Sequence, residues 1–418
     1  MLDFLSSNIL RNPPILLALI AAIGLIAQKK GVADIIKGSL LTAFGMIILD
    51  FGVGVLVGSI LPINNAFQAL TGSGGAVEGL NDATFTAEYG GSIGLAMFIG
   101  LILHLVIARF TPIKTIFLTG HMLWWFPFIF VAAGVQGGLS GMGLVLFGAV
   151  TSALYWSLMP WAMRKYVFAV IGDESFTLGH PTGILSLIAG FVASKVGNKG
   201  KSTEDLNLPK GLSFFREISI TGGLVITLMY IFTGLFVTPD VVDGNLVMES
   251  ITQGLTFGAG LLIMLQGVRM LISQIVPAFK GISEKIVPNA LPALDCPIIF
   301  NYKPNAVLIG FIAAMIVSTI LIVISNTLNV FGIILIPLVI TSFFECGTAA
   351  VIGEGQGGLK GAVIGTSVAA IAMVGLLGIS AVIYANTIQN WILIFGGNDL
   401  SLFGIIAQFI ASLFGGGY

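Results

Sequence analysis

Charge is scarce in this chain: Asp, Glu, Lys and Arg make up 9% of 418 residues, against roughly a quarter in soluble domains. That shortage excludes an ordinary water-soluble domain. A net charge of −1 offers no basic surface for nucleic acid and no pull toward an acidic partner. Cysteine is nearly absent too. Cys296 and Cys346 lie in apolar surroundings without CxxC or Cys/His spacing, so they read as buried thiols, and no metal is expected. The chain has no phosphate-binding loop and no nucleophile of its own, and no cofactor is expected. The opening MLDFLSSNILRNPP has no basic run and no small-residue cleavage site, so a removable signal peptide is not expected.

What is abundant is apolar surface. Hydrophobic residues make up 56% of the chain and the mean hydropathy is +1.03. A helix needs about 20 apolar residues to cross a bilayer. Such runs lie near 14–28, 39–61, 92–108, 115–134, 142–162, 218–238, 252–276, 305–325, 328–344, 361–385 and 392–415, about eleven in all. The expected fold is therefore an all-α polytopic membrane protein. Lys29, Lys30 and Lys37, Arg164 and Lys165, the group from Lys195 to Arg216, and Lys280 and Lys285 mark one set of connections. The segments 62–91 and 239–250 carry only acidic charge. The positive-inside rule puts the basic set in the cytoplasm, with the N-terminus expected outside and the C-terminus inside.

Two echoes run through the chain. Gln-Gly-Gly-Leu occurs at 136–139 and at 356–359, and Gly45–Pro62 returns as Gly260–Pro277 without a gap. The first copy leaves a basic connection for an acidic one and the second does the reverse, so the copies are expected to be inverted. Inverted repeats suit a transporter with its site between the halves. The expected division is repeat one over about 36–165, a re-entrant hairpin over about 166–195, a cytoplasmic loop over 195–216, repeat two over about 250–386 and a final span over about 392–415. All of it forms one membrane domain.

Two segments do not read as spans. Between Arg164 and Lys195 the polar tip GDESFTLGHPTG separates short apolar arms, which fits a re-entrant hairpin lining a cavity or a hairpin lying on the surface. The second, 281–304, carries Pro288, Pro292, Pro297 and Pro304, which forbid a continuous helix, and holds Asp295 in an apolar run. An ionisable group there marks function, or else caps the start of a half-helix. Repeat register sets Leu80-Asn81 opposite Leu294-Asp295. Of the three histidines, His104 reads as a packed residue within a span. His121 precedes an aromatic cluster with Trp124 and Trp125, which suits stacking on a sugar or packing on a neighbour. His180 sits at the hairpin tip and reads as a substrate contact. Arg269 and Gln266 inside the seventh run read as structural or functional alike. Both Gln-Gly-Gly-Leu copies read as turns.

With these residues placed, the chain resembles the ascorbate-specific membrane component (EIIC) of the bacterial sugar phosphotransferase system over nearly its whole length. The resemblance is carried by IKTIFLTGHM at 113–122, ALYW at 153–156, FTLGH at 176–180, STEDLNLP at 202–209, QGVRMLISQIVPAFKGIS at 266–283 and VPNALPALDCPIIFNYKPNAVLIGF at 287–311. It implies an eleven-span homodimer, each protomer having a scaffold domain and a mobile core in an elevator-type arrangement. The substrate would be held by His121, His180 and Asp295 and handed to a phosphorylated IIB protein, itself charged by IIA. The chain would then be one subunit of a multi-protein phosphotransferase and not catalytic alone, with Asp295 orienting or deprotonating the reacting hydroxyl. The family has glutamine where Trp125 and Pro181 stand, and a Thr-Tyr pair where Leu80-Asn81 stands. The substrate is thus expected to be an L-ascorbate-like sugar acid, or another sugar or polyol. An ion-coupled secondary transporter with Asp295 as proton carrier, or a facilitator or receptor-like membrane protein, are the alternatives from other classes.

Overall fold

A computed structural model describes residues 12–69, 82–206, 217–285 and 287–415. Leu80 and Asn81 lie outside them. The described chain is mostly helical: α1 (Pro13–Ala27), α2 (Val32–Ala69), α3 (Asp82–Phe110), α4 (Met122–Gln136), α5 (Gly141–Ile171), α6 (Gly183–Val196), α7 (Ile218–Phe236), α8 (Leu246–Lys285), α9 (Pro297–Phe300), α10 (Pro304–Thr327), α11 (Val339–Ile383), α12 (Gln389–Phe395) and α13 (Asp399–Gly415). Among the described residues, seven helices are long and apolar enough to cross a membrane, and four shorter apolar helices accompany them. Their outer faces expose large apolar side chains such as Leu228, Phe232, Ile316 and Ile320, a surface that only a bilayer would cover without cost.

Three of the expected spans take a different form. The run 115–134 begins as an extended strand, β1 (Thr115–Phe117), and turns helical only at Met122. Apolar content alone cannot separate a buried strand from a buried helix, and the β-branched Thr115 and Ile116 favour the former. The run 328–344 is irregular up to Leu338, where α11 starts. The run 392–415 is two helices, parted at Gly396–Asn398 where Gly397 takes φ +83°. The expected hairpin over 166–195 also has no separate first arm, since α5 continues unbroken to Ile171.

Both Gln-Gly-Gly-Leu copies are turns. The first closes α4, with Gly138 at φ +84°. The second interrupts α11, where Gly357 and Gly358 leave helical geometry. A straight 45-residue helix would span about 67 Å, twice a bilayer core. Instead the two arms fold back on one another. Cys346 Sγ comes 3.7 Å from Met373 Sδ, although 27 helical residues would hold them about 40 Å apart. Gly358 is required here by its φ of +61° and by the carbonyls of Asn198 and Lys201, both 2.3 Å from where its Cβ would stand.

The echoed helices α2 and α8 pack on each other in opposite senses. A Cβ on Gly52 would lie 2.3 Å from the Met264 nitrogen, and one on Gly267 would lie 2.3 Å from the Leu49 nitrogen. Shifting Gly52 and Leu49 by the 215-residue offset of the echo gives Gly267 and Met264, so one contact maps onto the other. Small residues here let the backbones touch, as helix pairs in lipid require.

At the centre lies a three-stranded parallel sheet in the order β1-β3-β2, with β2 at Thr177–Leu178 and β3 at Leu291–Leu294. Ile116 pairs with Pro292 on one side, while β2 begins pairing only at Ala293. Pro292 can therefore sit in the middle strand, because its missing N–H faces the side where β2 has not yet begun. Extended backbone is tolerated at membrane depth only inside protein, and β1, β2 and the end of β3 are buried.

Candidate functional site

Each strand ends just before one of the polar residues singled out in the sequence: β1 before His121, β2 before His180 and β3 before Asp295. Parallel pairing brings the three ends to the same edge. His121 Nδ1 lies 3.8 Å from Asp295 Oδ2, and His180 Nε2 lies 3.8 Å from Asp295 Oδ1. Those spacings exceed a hydrogen bond, so the three groups do not satisfy one another and a ligand atom can meet two of them from the side of the chamber. Asp295 Oδ1 also accepts the Cys296 amide at 2.8 Å ahead of the short α9. The short helix takes Cys296 as its N-cap with no side-chain capping bond, so Asp295 stands one residue ahead of the cap.

The cluster faces a cavity of about 130 Å³, lined also by Trp125, Pro181, Trp391, Phe344, Glu345 and Asn398 among others. That volume holds roughly ten water-sized spheres, the scale of a monosaccharide. Trp125 and Trp391 stand 5.0 Å apart, centroid to centroid, and form an aromatic wall. Trp124 is not part of the lining, and neither is Arg269, which is exposed on α8. Four buried polar atoms of lining residues have no hydrogen-bond partner among the described residues: His121 Nδ1, His180 Nδ1, Glu345 Oε2 and Trp391 Nε1. A buried polar atom left unpaired costs about 1–3 kcal/mol. An apolar chamber with a few such atoms is what a hydroxylated ligand requires. One ligand atom from each of His121, His180 and Asp295 also lies within 4.8 Å of the others, so a small cation is sterically admissible.

Two supports hold the strand ends in place. His104 is fully buried, accepts the Phe117 amide at Nε2 (3.0 Å) and meets Ser157 Oγ at Nδ1 (2.8 Å). Because Nε2 accepts, Nδ1 carries the proton and donates it to Ser157. His104 is thus the packed histidine expected of it, and it anchors β1. Asp399 does the same for the His180 loop: it accepts from the Gly183 amide (3.0 Å), the Ile184 amide (2.7 Å) and the Tyr155 hydroxyl (2.5 Å). Neither Asp399 nor Glu345 was picked out from sequence. The rule that marked Asp295, an ionisable residue in an apolar run, applies equally to Glu345 in TSFFECGTAA.

A helical membrane-spanning scaffold that closes around an aromatic, hydroxyl-accepting chamber is the architecture of a solute permease. The family model described as the PTS system sugar-specific permease component (EIIC-GAT) matches residues 8–399, and the chain belongs to that family. It is thus a multi-pass membrane component whose family handles a sugar together with other phosphotransferase components. One relative is the ascorbate-specific PTS system EIIC component of Mycoplasma pneumoniae, 26% identical over 416 residues, covering 85% of this chain and 63% of the relative. The chain therefore spans less than two thirds of that relative's length.

Proposed function

We propose that this permease component binds a small polyhydroxylated substrate against His121, His180 and Asp295 and carries it across the membrane with phosphorylation by a IIB partner. The observation that carries this reading is the convergence of the three side chains, from three distant segments, at one edge of the buried sheet. The cytoplasmic IIB phosphocysteine supplies the phosphoryl group: the substrate hydroxyl oxygen bonds to phosphorus, the cysteine thiolate leaves, and the hydroxyl proton passes to Asp295. Trp125 stacks on the substrate and Pro181 shapes the chamber beside His180. Leu80 and Asn81, expected from the sequence to contact substrate, lie outside the described residues.

The reading extends to two inverted repeats, a homodimer built on a scaffold domain, and an elevator-type movement of the core, with the N-terminus outside and the C-terminus cytoplasmic. The paired Gly52–Met264 and Gly267–Leu49 contacts support the inversion. For the substrate, the Mycoplasma relative supports an L-ascorbate-like sugar acid. One observation favours a neutral sugar or polyol instead: among the described residues no Lys or Arg lines the chamber, while Asp295 and Glu345 both do.

The test is phosphoenolpyruvate-dependent uptake into vesicles loaded with the IIA and IIB proteins. Asp295→Asn should abolish uptake while the protein still inserts. Unchanged uptake would sink the assignment. Uptake driven by a proton gradient without IIA and IIB would point to the ion-coupled class.

A further inference from the structure

Glu345 sits on the first arm of α11 and is 4% exposed, yet only one of its carboxylate oxygens is engaged. Oε1 accepts from Asn398 Nδ2 at 2.8 Å. Oε2 is buried and has no partner among the described residues, and the residue lines the same chamber as His121, His180 and Asp295. The placement is fixed from two sides. The Glu345 carbonyl accepts from Thr182 Oγ1 (3.2 Å), two residues past His180, and Asn398 Oδ1 accepts the Leu400 amide (3.1 Å). With its oxygen committed in that way, Asn398 can present only its amine to Glu345, which leaves Oε2 for the chamber.

We propose that Glu345 is a further substrate-binding residue that sets specificity, with Oε2 accepting a hydrogen bond from a substrate hydroxyl. The inference rests on the chamber being the substrate site, as read above. In its ionised form a carboxylate oxygen only accepts, so the group opposite it must then donate. A hydroxyl does so, whereas a substrate carboxylate or enolate placed there meets like charge with no cation among the lining residues to offset it. Glu345 thus tilts the chamber toward neutral polyhydroxylated substrates. Asn398 is a positioning residue that acts through Glu345.

Glu345→Gln reverses this polarity. Asn398 Nδ2 still holds the oxygen of the new side chain, so its amide NH₂ turns toward the substrate and donates. The experiment measures ligand stabilisation and affinity for the purified full chain in detergent, with hexitols, pentitols and hexoses set against L-ascorbate and hexonates. The unmodified chain should bind a neutral compound more tightly than any acid. Glu345→Gln should weaken that compound about ten-fold or more, the scale of one hydrogen bond to a charged group, and move the neutral-to-acid ratio toward the acids. A structural role would weaken all ligands alike, so an unmoved ratio overturns the proposal. So does tightest binding of an acid, or binding of none of the panel. If Glu345→Gln cannot be recovered folded, Glu345→Asp replaces it: a larger loss of affinity for the neutral compound than for the acids supports the assignment, and a uniform loss or unchanged affinity overturns it. Asp295→Asn, measured in parallel, separates the two readings. Loss of binding in Asp295→Asn with none in Glu345→Gln removes Glu345 alone, while retention in both removes the site.

Discussion

The carboxylate of Asp399 accepts the amide proton of Ile184 at 2.7 Å, joining the start of α13 to the start of α6. With the Gly183 amide on its other oxygen, Asp399 caps α6 from across the fold and fixes the loop that carries His180. Asp399→Ala orphans two amides and the Tyr155 hydroxyl, and should destabilise the protein by about 3 kcal/mol or more. Thermal unfolding in detergent checks this. Asp399→Asn, which keeps one acceptor, should lose less stability yet still lower substrate affinity, because the His180 loop is less firmly held.

His104→Ala should act at a distance in the same way. It removes the acceptor of the Phe117 amide and the donor to Ser157, at about 1–3 kcal/mol. The measurement is substrate affinity beside unfolding temperature. Both should fall together, whereas His121→Ala should lower affinity with little change in unfolding.

The seam between α2 and α8 predicts a sharp contrast between neighbouring glycines. Gly52→Val forces a side chain into the Met264 backbone and should prevent accumulation of folded protein, beyond the 1–3 kcal/mol typical of overpacking. Gly54→Ala meets nothing within 4 Å and should be neutral or stabilising by up to about 1 kcal/mol through helix propensity. Folded yield in membranes, read by size-exclusion chromatography, distinguishes them.

Dialysis against a chelator tests whether the His121–His180–Asp295 cluster works through a cation. On the proposed reading, substrate affinity stays within two-fold of the untreated protein. A large loss, restored by adding back a divalent ion, would show that the three side chains hold a metal.

The three polar residues are legible in the sequence because each interrupts an apolar segment with glycine, proline or charge. Where local pattern failed, the failures have physical causes. The strand at Thr115–Phe117 is short, buried and apolar, and has no period to betray it. The sheet that unites β1, β2 and β3 joins segments far apart in the chain, which local pattern cannot foresee. Asp399 follows Gly396, Gly397 and Asn398, so in sequence it looks like part of a polar turn rather than a buried cap. Glu345 carried the same signal as Asp295, but proline breaks did not draw the eye to it.

The middle position of β3 in the sheet also has a consequence for biosynthesis. β1 is made first, yet its pairing partner at Leu291–Leu294 emerges only after β2, α7 and the whole of α8. At roughly 5–20 residues per second, the nascent first half waits about 10–35 s with an unpaired strand edge. His104 and Ser157 already hold the opposite edge of the strand from within the first half, through the Phe117 amide and the Thr115 hydroxyl. The chamber itself closes last, when α13 leaves the ribosome with Asp399.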